Sequence, residues 1–155
     1  MIKRLFNCPK CAKQPDKDFV TYEKFNDWWI AYPEENLLHI HYGKSTPTEE
    51  ENTKENESLR DFLLNVLNKY DDKQFFLLAD LGTLDNSDSV STDSMKIFIS
   101  ILKNKQIAGL SVYGAATGFN MLVKSLVSMF SKVSLVNDYK DADDMYHKWF
   151  SEYKK

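Results

Sequence analysis

Three short apolar runs in the second half of the chain alternate with segments of helical period, and this alternation constrains the fold more than any other feature. The runs cover residues 75–81, 107–113 and 133–136 and have the length and apolar continuity of buried strands. A segment of helical period follows each of them. The pattern predicts a βαβαβα unit, in which parallel strands carry helices packed on the sheet.

The first half of the chain predicts three further strands, over residues 19–25, 28–32 and 37–42, because these segments are rich in aromatic and β-branched residues. The break Pro33-Glu34-Glu35-Asn36 suits an antiparallel hairpin between the last two. Residues 1–18 have little periodicity, so we expect an irregular N-terminal arm. The sequence thus predicts one α/β domain over residues 19–155, with a mixed sheet that opens on antiparallel strands.

Four helices are predicted between and after these strands. The first has a capping box at Thr46-Pro47-Thr48-Glu49 with Thr46 as N-cap, and its polar residues 49–58 offer no face to bury. Its docking stripe comes later, at Leu59, Phe62, Leu63, Val66, Leu67 and Tyr70.

Helical period or position defines the other three. Ser91 or Thr92 caps a buried helix over residues 95–102. The next helix has the stripe Phe119, Leu122, Val123, Leu126, Val127 and Phe130. Asp141 is predicted to cap the last helix, whose stripe is Ala142, Met145, Trp149 and Tyr153.

Composition restricts the function class. A chain of 155 residues with 43% hydrophobic residues suffices for one core, and a net charge of −3 with interleaved acids and bases argues against nucleic-acid binding. No apolar run approaches the roughly 20 residues that span a bilayer, and no apolar segment follows Lys3 and Arg4 as in a leader peptide. We therefore expect a soluble cytoplasmic protein. Two cysteines fit a reducing compartment.

Cys8-Pro9-Lys10-Cys11 has the two-residue spacing by which a turn aims two thiolates at a zinc ion. The only complement is His39 and His41, whose side chains we expect to point to opposite faces of one strand. A metal site is therefore not predicted, and neither is any other cofactor. A thioredoxin-like redox role is also disfavoured, because the motif precedes any βαβ unit. The favoured interpretation is two thiols in a turn.

Two further groups could carry chemistry at the strand ends. Gly114, Thr117 and Gly118 lie in a strand-to-helix turn that could bind an anion, although close helix–strand packing explains the glycines better. The carboxylates Asp80, Asp85, Asp88 and Asp93 follow a central strand, where α/β sheets place ligands. Ordinary turn chemistry is the favoured explanation of these carboxylates.

The order of elements, with Leu77-Leu78-Ala79-Asp80-Leu81 in a strand and Asp141-Ala142-Asp143-Asp144-Met145-Tyr146-His147-Lys148-Trp149 in the closing helix, resembles a STAS-like domain. This superfamily includes the anti-sigma-factor antagonists and a looser set of bacterial STAS-like and lipid-transfer-related proteins. The resemblance covers about residues 28–153. It implies a bacterial regulatory or signalling module without catalysis.

In the antagonist branch of that superfamily, a kinase phosphorylates the first serine of an Asp-Ser-Ser-Gly-Leu motif and thereby breaks partner binding. The resemblance places Ser91-Thr92-Asp93-Ser94-Met95 on this motif, with Thr92 at the phospho-acceptor position. Ser91 replaces the aspartate of the motif and Ser94 replaces its glycine. Asp93 supplies negative charge at the helix N-terminus, where the helix dipole favours it.

The first functional hypothesis is a non-enzymatic module that binds a protein partner through residues 82–95, with Thr92, Ser91, Asp93, Ser94 and Asp85 as contact or phospho-acceptor candidates. The alternative is a small-molecule or lipid-binding module with an apolar pocket under the helices. A third hypothesis is an enzyme that uses the aspartates and the Gly114 turn for phosphate chemistry. An exposed sheet edge would also allow a homodimer.

Overall fold

The structure is a computed structural model that describes residues 3–43, 48–84 and 90–155, with the backbone alone for residues 117–119. Its strands are β1 (Val20–Tyr22), β2 (Asp27–Tyr32), β3 (Leu37–His41), β4 (Phe75–Asp80), β5 (Ile107–Tyr113) and β6 (Val133–Leu135). Its α-helices are α1 (Glu49–Lys69), α2 (Thr92–Lys103), α3 (Thr117–Met129) and α4 (Tyr139–Tyr153). In this part of the chain, no helix combines the length and apolar character needed to cross a membrane.

The six strands form one mixed sheet in which spatial order follows chain order, from β1 to β6. β1, β2 and β3 pair antiparallel, whereas β3 to β6 pair parallel. The prediction of an α/β domain with antiparallel opening strands and a parallel second half is confirmed. The turn between β2 and β3 is Pro33–Glu35 followed by Asn36, whose φ of 54° is a left-handed conformation that asparagine tolerates.

Both faces of the sheet are covered, as a largely parallel sheet requires. Helices α1, α2 and α3 pack on one face through a core that includes Trp29, Leu38, Ile40, Leu59, Leu63, Leu77, Leu102 and Leu126. Helix α4 and the N-terminal residues pack on the other face through a core that includes Cys8, Cys11, Trp28, Ile30, Leu78, Ala142 and Tyr146. Because side chains alternate along a strand, neighbouring residues such as Trp28 and Trp29 serve different cores.

Helix α1 differs from the prediction at its start. Its N-cap is Thr48, two residues after the predicted Thr46, and the Glu51 amide donates to Thr48 Oγ1 at 3.1 Å. Thr46 and Pro47 lie outside the described residues. The capping pattern is therefore shifted by two residues. The Thr48 hydroxyl also donates to the Glu51 carboxylate at 3.1 Å.

One face of the polar first half of α1, formed by Asn52, Glu55 and Asn56, is buried, and the prediction that this half has no face to bury is wrong. Asn52 Oδ1 accepts a hydrogen bond from the Ser91 amide at 2.8 Å, and Asn56 Nδ2 donates to Ser94 Oγ at 3.0 Å. Ser91 is the N-cap of α2, as predicted. A polar helix face can be buried when its partner satisfies its hydrogen bonds, and here the partner is the start of α2.

Helix α4 also differs in cap and face. Its N-cap is Asp138, which accepts from the Asp141 amide at 2.9 Å, so Asp141 lies in the first turn. The buried residues are Ala142 and Tyr146, whereas the predicted Met145 is 40% exposed. Tyr146 points inward, and its hydroxyl donates to the Glu35 carbonyl in the turn between β2 and β3.

A buried carboxylate lies at the start of β2. Asp27 is fully buried, and its Oδ1 accepts from the Gly43 amide at 2.7 Å. Burial raises the pKa of Asp27 to about 6, although hydrogen bonds from Glu55 and from Gly43 act in the opposite direction. The group thus holds its proton more tightly in the folded chain than in the unfolded chain.

We predict that Asp27→Asn removes a pH dependence of stability between about pH 4 and pH 6. Because the folded pKa lies above the unfolded one, the stability that Asp27 contributes is present below pH 4 and lost as the pH rises through 6, by about 3 kcal/mol. Urea unfolding of both proteins from pH 4 to 7 measures the difference. The exposed Asp61→Asn is the control, and a constant difference between wild type and Asp27→Asn would contradict the prediction.

Candidate metal centre

The N-terminal residues 3–18 contain no strand or α-helix, yet they pack on the sheet. Two short 3-10 turns, Cys11–Lys13 and Asp16–Asp18, shape the segment. Cys8 and Cys11 are both fully buried thiols and belong to the core that contains Trp28. The segment predicted as an arm therefore covers the sheet face on which α4 also lies.

Arg4 fastens this segment to the rest of the molecule. Its guanidinium donates to the Cys11 carbonyl at 3.1 Å, to the Gln14 carbonyl at 2.5 Å and to Asp16 Oδ1 at 2.5 Å. The same group lies 4.5 Å from the centre of the Phe19 ring. One side chain thus closes the turn that follows the cysteines and packs it against the start of the sheet.

His39 and His41 point to the same face of β3, and the prediction that they point to opposite faces is wrong. Side chains alternate along a strand with a period of two, so residues two apart share a face. Ile40, between them, belongs to the core on the opposite face. Both histidines are fully buried and face the N-terminal segment.

Cys8, Cys11, His39 and His41 converge on one point. A ligand atom from each lies within 4.8 Å of those of the other three. His39 Nδ1 is 3.1 Å from Cys11 Sγ and 3.6 Å from Cys8 Sγ. A tetrahedral zinc ion with bonds of about 2.0 to 2.3 Å separates its ligands by about 3.3 to 3.8 Å. The 3.6 Å separation lies in this range, whereas the 3.1 Å separation would have to lengthen slightly around such an ion.

The cysteine turn has a conformation that presents both sulfur atoms. The Ala12 amide donates to the Cys8 carbonyl at 2.9 Å, and the Cys11 amide lies 3.4 Å from Cys8 Sγ as a donor. The Tyr32 hydroxyl donates to Cys11 Sγ at 3.2 Å. The Cys11 amide would stabilise negative charge on the Cys8 sulfur, and the Tyr32 hydroxyl would do so on the Cys11 sulfur.

Asp80 on the neighbouring strand orients His41. Its Oδ2 lies 2.8 Å from His41 Nδ1, so a proton on Nδ1 leaves Nε2 as the nitrogen available to a metal. His41 Nε2 is buried with no hydrogen-bond partner in the described part of the chain. Phe6 stacks on the His41 ring with 3.9 Å between ring centres and closes that side of the cluster.

The electrostatics of the cluster favour a cation. A hydrogen bond from Cys11 lowers the pKa of Cys8 far below its usual range, with further contributions from His39 and His41. Burial lowers the pKa of His39, which keeps that imidazole neutral. Burial also acts to lower the pKa of His41, but the hydrogen bond with Asp80 and the nearby Cys8 sulfur outweigh it and raise that pKa. The cluster therefore combines a stabilised thiolate with a carboxylate-backed imidazole.

The residues predicted to contact a partner separate into two kinds. Ser91 and Ser94 are buried, and their hydroxyl groups hydrogen-bond to each other at 2.9 Å within the contact between α1 and α2. Thr92 and Asp93 are exposed in the first turn of α2. Asp85, like Asp88, lies outside the described residues.

The glycine-containing turn after β5 has a packing role. Gly114 has a φ of 74°, and a Cβ atom there would lie 3.1 Å from the backbone of Gly82. Thr117 and Gly118 begin α3, whose N-cap Ala116 makes no side-chain cap. Close approach of two loops thus explains Gly114.

The predicted aspartate cluster does not assemble among its two described members. Asp80 points inward to His41, whereas Asp93 is an exposed residue of α2 that lies 4.0 Å from Lys96 Nζ.

An apolar cavity of about 80 Å³ lies between the sheet and α1, α2 and α3. Its lining includes Phe98, Ile101, Leu122 and Leu126.

Sequence reasoning weighed His39 and His41 as the complement of the two cysteines but rejected them, because it placed their side chains on opposite faces of a strand. It did not connect Asp80 or Tyr32 with this cluster. The available signal was His39-Ile40-His41 in a predicted strand, which places two imidazoles on one face. Together with Cys8-Pro9-Lys10-Cys11 it supplies four zinc ligands. Asp80 and Tyr32 had no such signal, because strand pairing alone brings them to the cluster.

We predict that Arg4→Ala loosens the cysteine turn. The loss of its hydrogen bonds to two carbonyls and a carboxylate should cost about 2 kcal/mol locally, which is about 30-fold faster amide exchange. Exchange of the Ala12 and Gln14 amides, both bonded within this turn, measures the effect. Lys3→Ala removes an exposed neighbouring cation as the control, and equal exchange in both variants would refute the role of Arg4.

The comparisons with known proteins leave the chain without an assigned family. No protein-family model, curated protein or solved structure shows a significant match to it. The STAS-like resemblance therefore rests on the order of elements and a few short patterns alone.

Proposed function

We propose that this chain binds one zinc ion through Cys8, Cys11, His39 and His41, and that the ion has a structural role. The observation that supports the proposal is the convergence of four fully buried ligand atoms within 4.8 Å. Two of the four come from a turn outside the regular secondary structure, and two come from the centre of the sheet.

The donor set favours zinc over other common ions. Thiolate and imidazole are the ligands of structural zinc sites, whereas calcium and magnesium take oxygen ligands. Two thiolates neutralise the divalent charge, so the ion with its four ligands is neutral in a buried position. Without an ion, the hydrogen bond with Cys8 and burial raise the pKa of the Cys11 thiol far above its usual range, so the second thiolate forms only when a cation replaces its proton.

The geometry supports a non-enzymatic role for the ion. Catalytic zinc keeps a coordination position for water or substrate, but four protein ligands fill a tetrahedral shell. The side chains of Phe6, Tyr32 and Trp28 enclose the cluster in the core of this face. The ion would instead hold residues 3–18 on the sheet, where few regular hydrogen bonds do so.

The test is the metal content of the purified chain. We expect native mass spectrometry to show one zinc per chain, and Cys8→Ser or His41→Gln to lose it. His147→Gln is the matched control, because His147 is the remaining histidine and is exposed on α4 near Asp143. Cobalt substitution should give the absorption of a tetrahedral ion with thiolate ligands.

The zinc proposal has clear contrary outcomes. A wild-type chain that stays metal-free after purification and zinc addition would overturn it. Equal zinc content in Cys8→Ser and His147→Gln would place the ion elsewhere. A wild-type chain loaded with iron and not zinc would correct the identity of the ion.

A second proposal concerns protein binding at the start of α2, as the STAS-like resemblance implies. Ser91 and Ser94 fix this helix end to α1, which leaves Thr92 and Asp93 exposed beside a groove. The groove lining includes Glu49, Glu50 and Glu57 of α1, so it favours a partner with basic residues. The same carboxylates would repel a phosphate on Thr92, which supports Thr92 as a contact residue.

The small-molecule alternative has less support. The apolar cavity under α2 and α3 measures about 80 Å³, below the roughly 300 Å³ at which ligand pockets begin. A lipid chain would need the helices to move apart. The groove at Thr92 is therefore the better second candidate.

We predict that a photo-crosslinking residue at position 92 captures a basic partner in the host cell. The same residue at Lys124, exposed on α3, is the control. The double charge reversal Glu50→Lys with Asp93→Lys should abolish capture at position 92, because it reverses the sign of the groove. Equal capture from positions 92 and 124 would contradict a site at this helix end.

A further inference from the structure

Asp80 contacts two separate parts of the molecule with its two carboxylate oxygens. Oδ2 lies 2.8 Å from His41 Nδ1, and Oδ1 accepts from the Gly82 amide at 2.8 Å. Only 12% of its side chain is exposed. A single carboxylate thus joins the four-residue cluster to the backbone just after β4.

The loop that begins at Leu81 also has contacts that do not involve Asp80, since Leu81 and Leu84 pack with Val112 and Val123. The Leu81 amide donates to the Tyr113 carbonyl at 3.0 Å, and the Leu84 amide donates to the Leu81 carbonyl at 3.1 Å. The Thr83 hydroxyl donates to the Tyr42 carbonyl. Gly82 lies against Gly114, so a shift of Gly82 would also displace the turn after β5.

We propose that Asp80 is a positioning residue that couples metal occupancy to the loop at residues 81–84. The proposal rests on the zinc site proposed above. Zinc on Nε2 of His41 requires the proton on Nδ1, and that proton fixes the carboxylate that receives it. The fixed carboxylate then presents Oδ1 to the Gly82 amide.

Loss of the ion removes this constraint. The His41 ring is then held by its hydrogen bond with Asp80 and no longer by the ion, so the ring and the carboxylate gain freedom to move together. The Gly82 amide would lose its acceptor for part of the time. By linkage, whatever stabilises the ordered loop also raises zinc affinity by the same factor.

The coupling gives the metal centre an output outside the cluster. Zinc occupancy would set the order of the backbone at residues 81–84. The effect passes through the Asp80 side chain and its two hydrogen bonds.

The experiment is amide exchange by NMR on the full chain, with zinc and with a chelator. We expect zinc to slow exchange of the Gly82 amide at least tenfold. Gly43 provides an internal control, because its amide also donates to a buried carboxylate, that of Asp27, which does not contact the cluster. The Gly43 amide should change less than twofold.

The variant Asp80→Asn tests the positioning role. An asparagine amide group donates to His41 Nδ1 and so favours the proton on Nε2, which blocks the metal, while its oxygen can still accept from Gly82. We expect zinc affinity, measured by competition with a chelating dye, to fall 10- to 100-fold. Asp27→Asn is the matched control and should keep wild-type affinity.

The outcomes separate this proposal from the zinc site itself. A wild-type chain that binds no zinc overturns both proposals. A chain that binds zinc with unchanged Gly82 exchange, or with equal changes at Gly82 and Gly43, overturns the coupling alone. Wild-type affinity in Asp80→Asn overturns the positioning role. A tenfold effect confined to Gly82, and lost in Asp80→Asn at saturating zinc, supports it.

Discussion

The packing of residues 3–18 on the sheet depends on the convergence of Cys8 and Cys11 with His39 and His41. Residues 3–18 contribute two 3-10 turns and no strand, so side-chain contacts must hold them on the sheet. The cluster provides these contacts at the centre of the segment, and the Arg4 guanidinium adds contacts with the rings of Phe19 and Trp28. The buried polar atoms of the cluster need hydrogen-bond partners, and Tyr32 and Asp80 supply them to Cys11 and His41.

The opposite face of the sheet is covered through a different combination of contacts. There α1 covers the sheet with leucines in its second half and with amides in its first half. Asn52 and Asn56 hold the capped start of α2, so two helices meet through a satisfied polar network at one end and an apolar core at the other. A network of this kind fixes the register of α2 more specifically than apolar contacts do, because each hydroxyl and amide has a defined partner.

The sequence alone predicted the strands of the sheet, but it did not predict the cluster of Cys8, Cys11, His39 and His41. Strands at residues 107–113 and the hairpin at Pro33–Glu35 follow from local apolar runs and turn residues, and both are confirmed. The caps Thr48 and Asp138 differ from the predicted residues because several serines, threonines and aspartates competed locally for each position. The spacing of His39 and His41 on a strand was a local signal for the cluster, but the pairing of β3 with β4, which brings in Asp80, and the place where residues 3–18 pack are long-range facts that no local pattern encodes.

The position of the cluster in the fold bears on its role. His41 and Asp80 stand at the carboxyl ends of adjacent parallel strands, where open α/β sheets bind their ligands. Here the segment with Cys8 and Cys11 covers the His41 side of this region. It therefore occupies the position at which other open α/β sheets bind a ligand. Asp80 Oδ1 extends from the closed site towards the uncovered loop at Gly82. Under the two proposals above, an ion buried on one side of the sheet end would organise the backbone on its other side through Asp80.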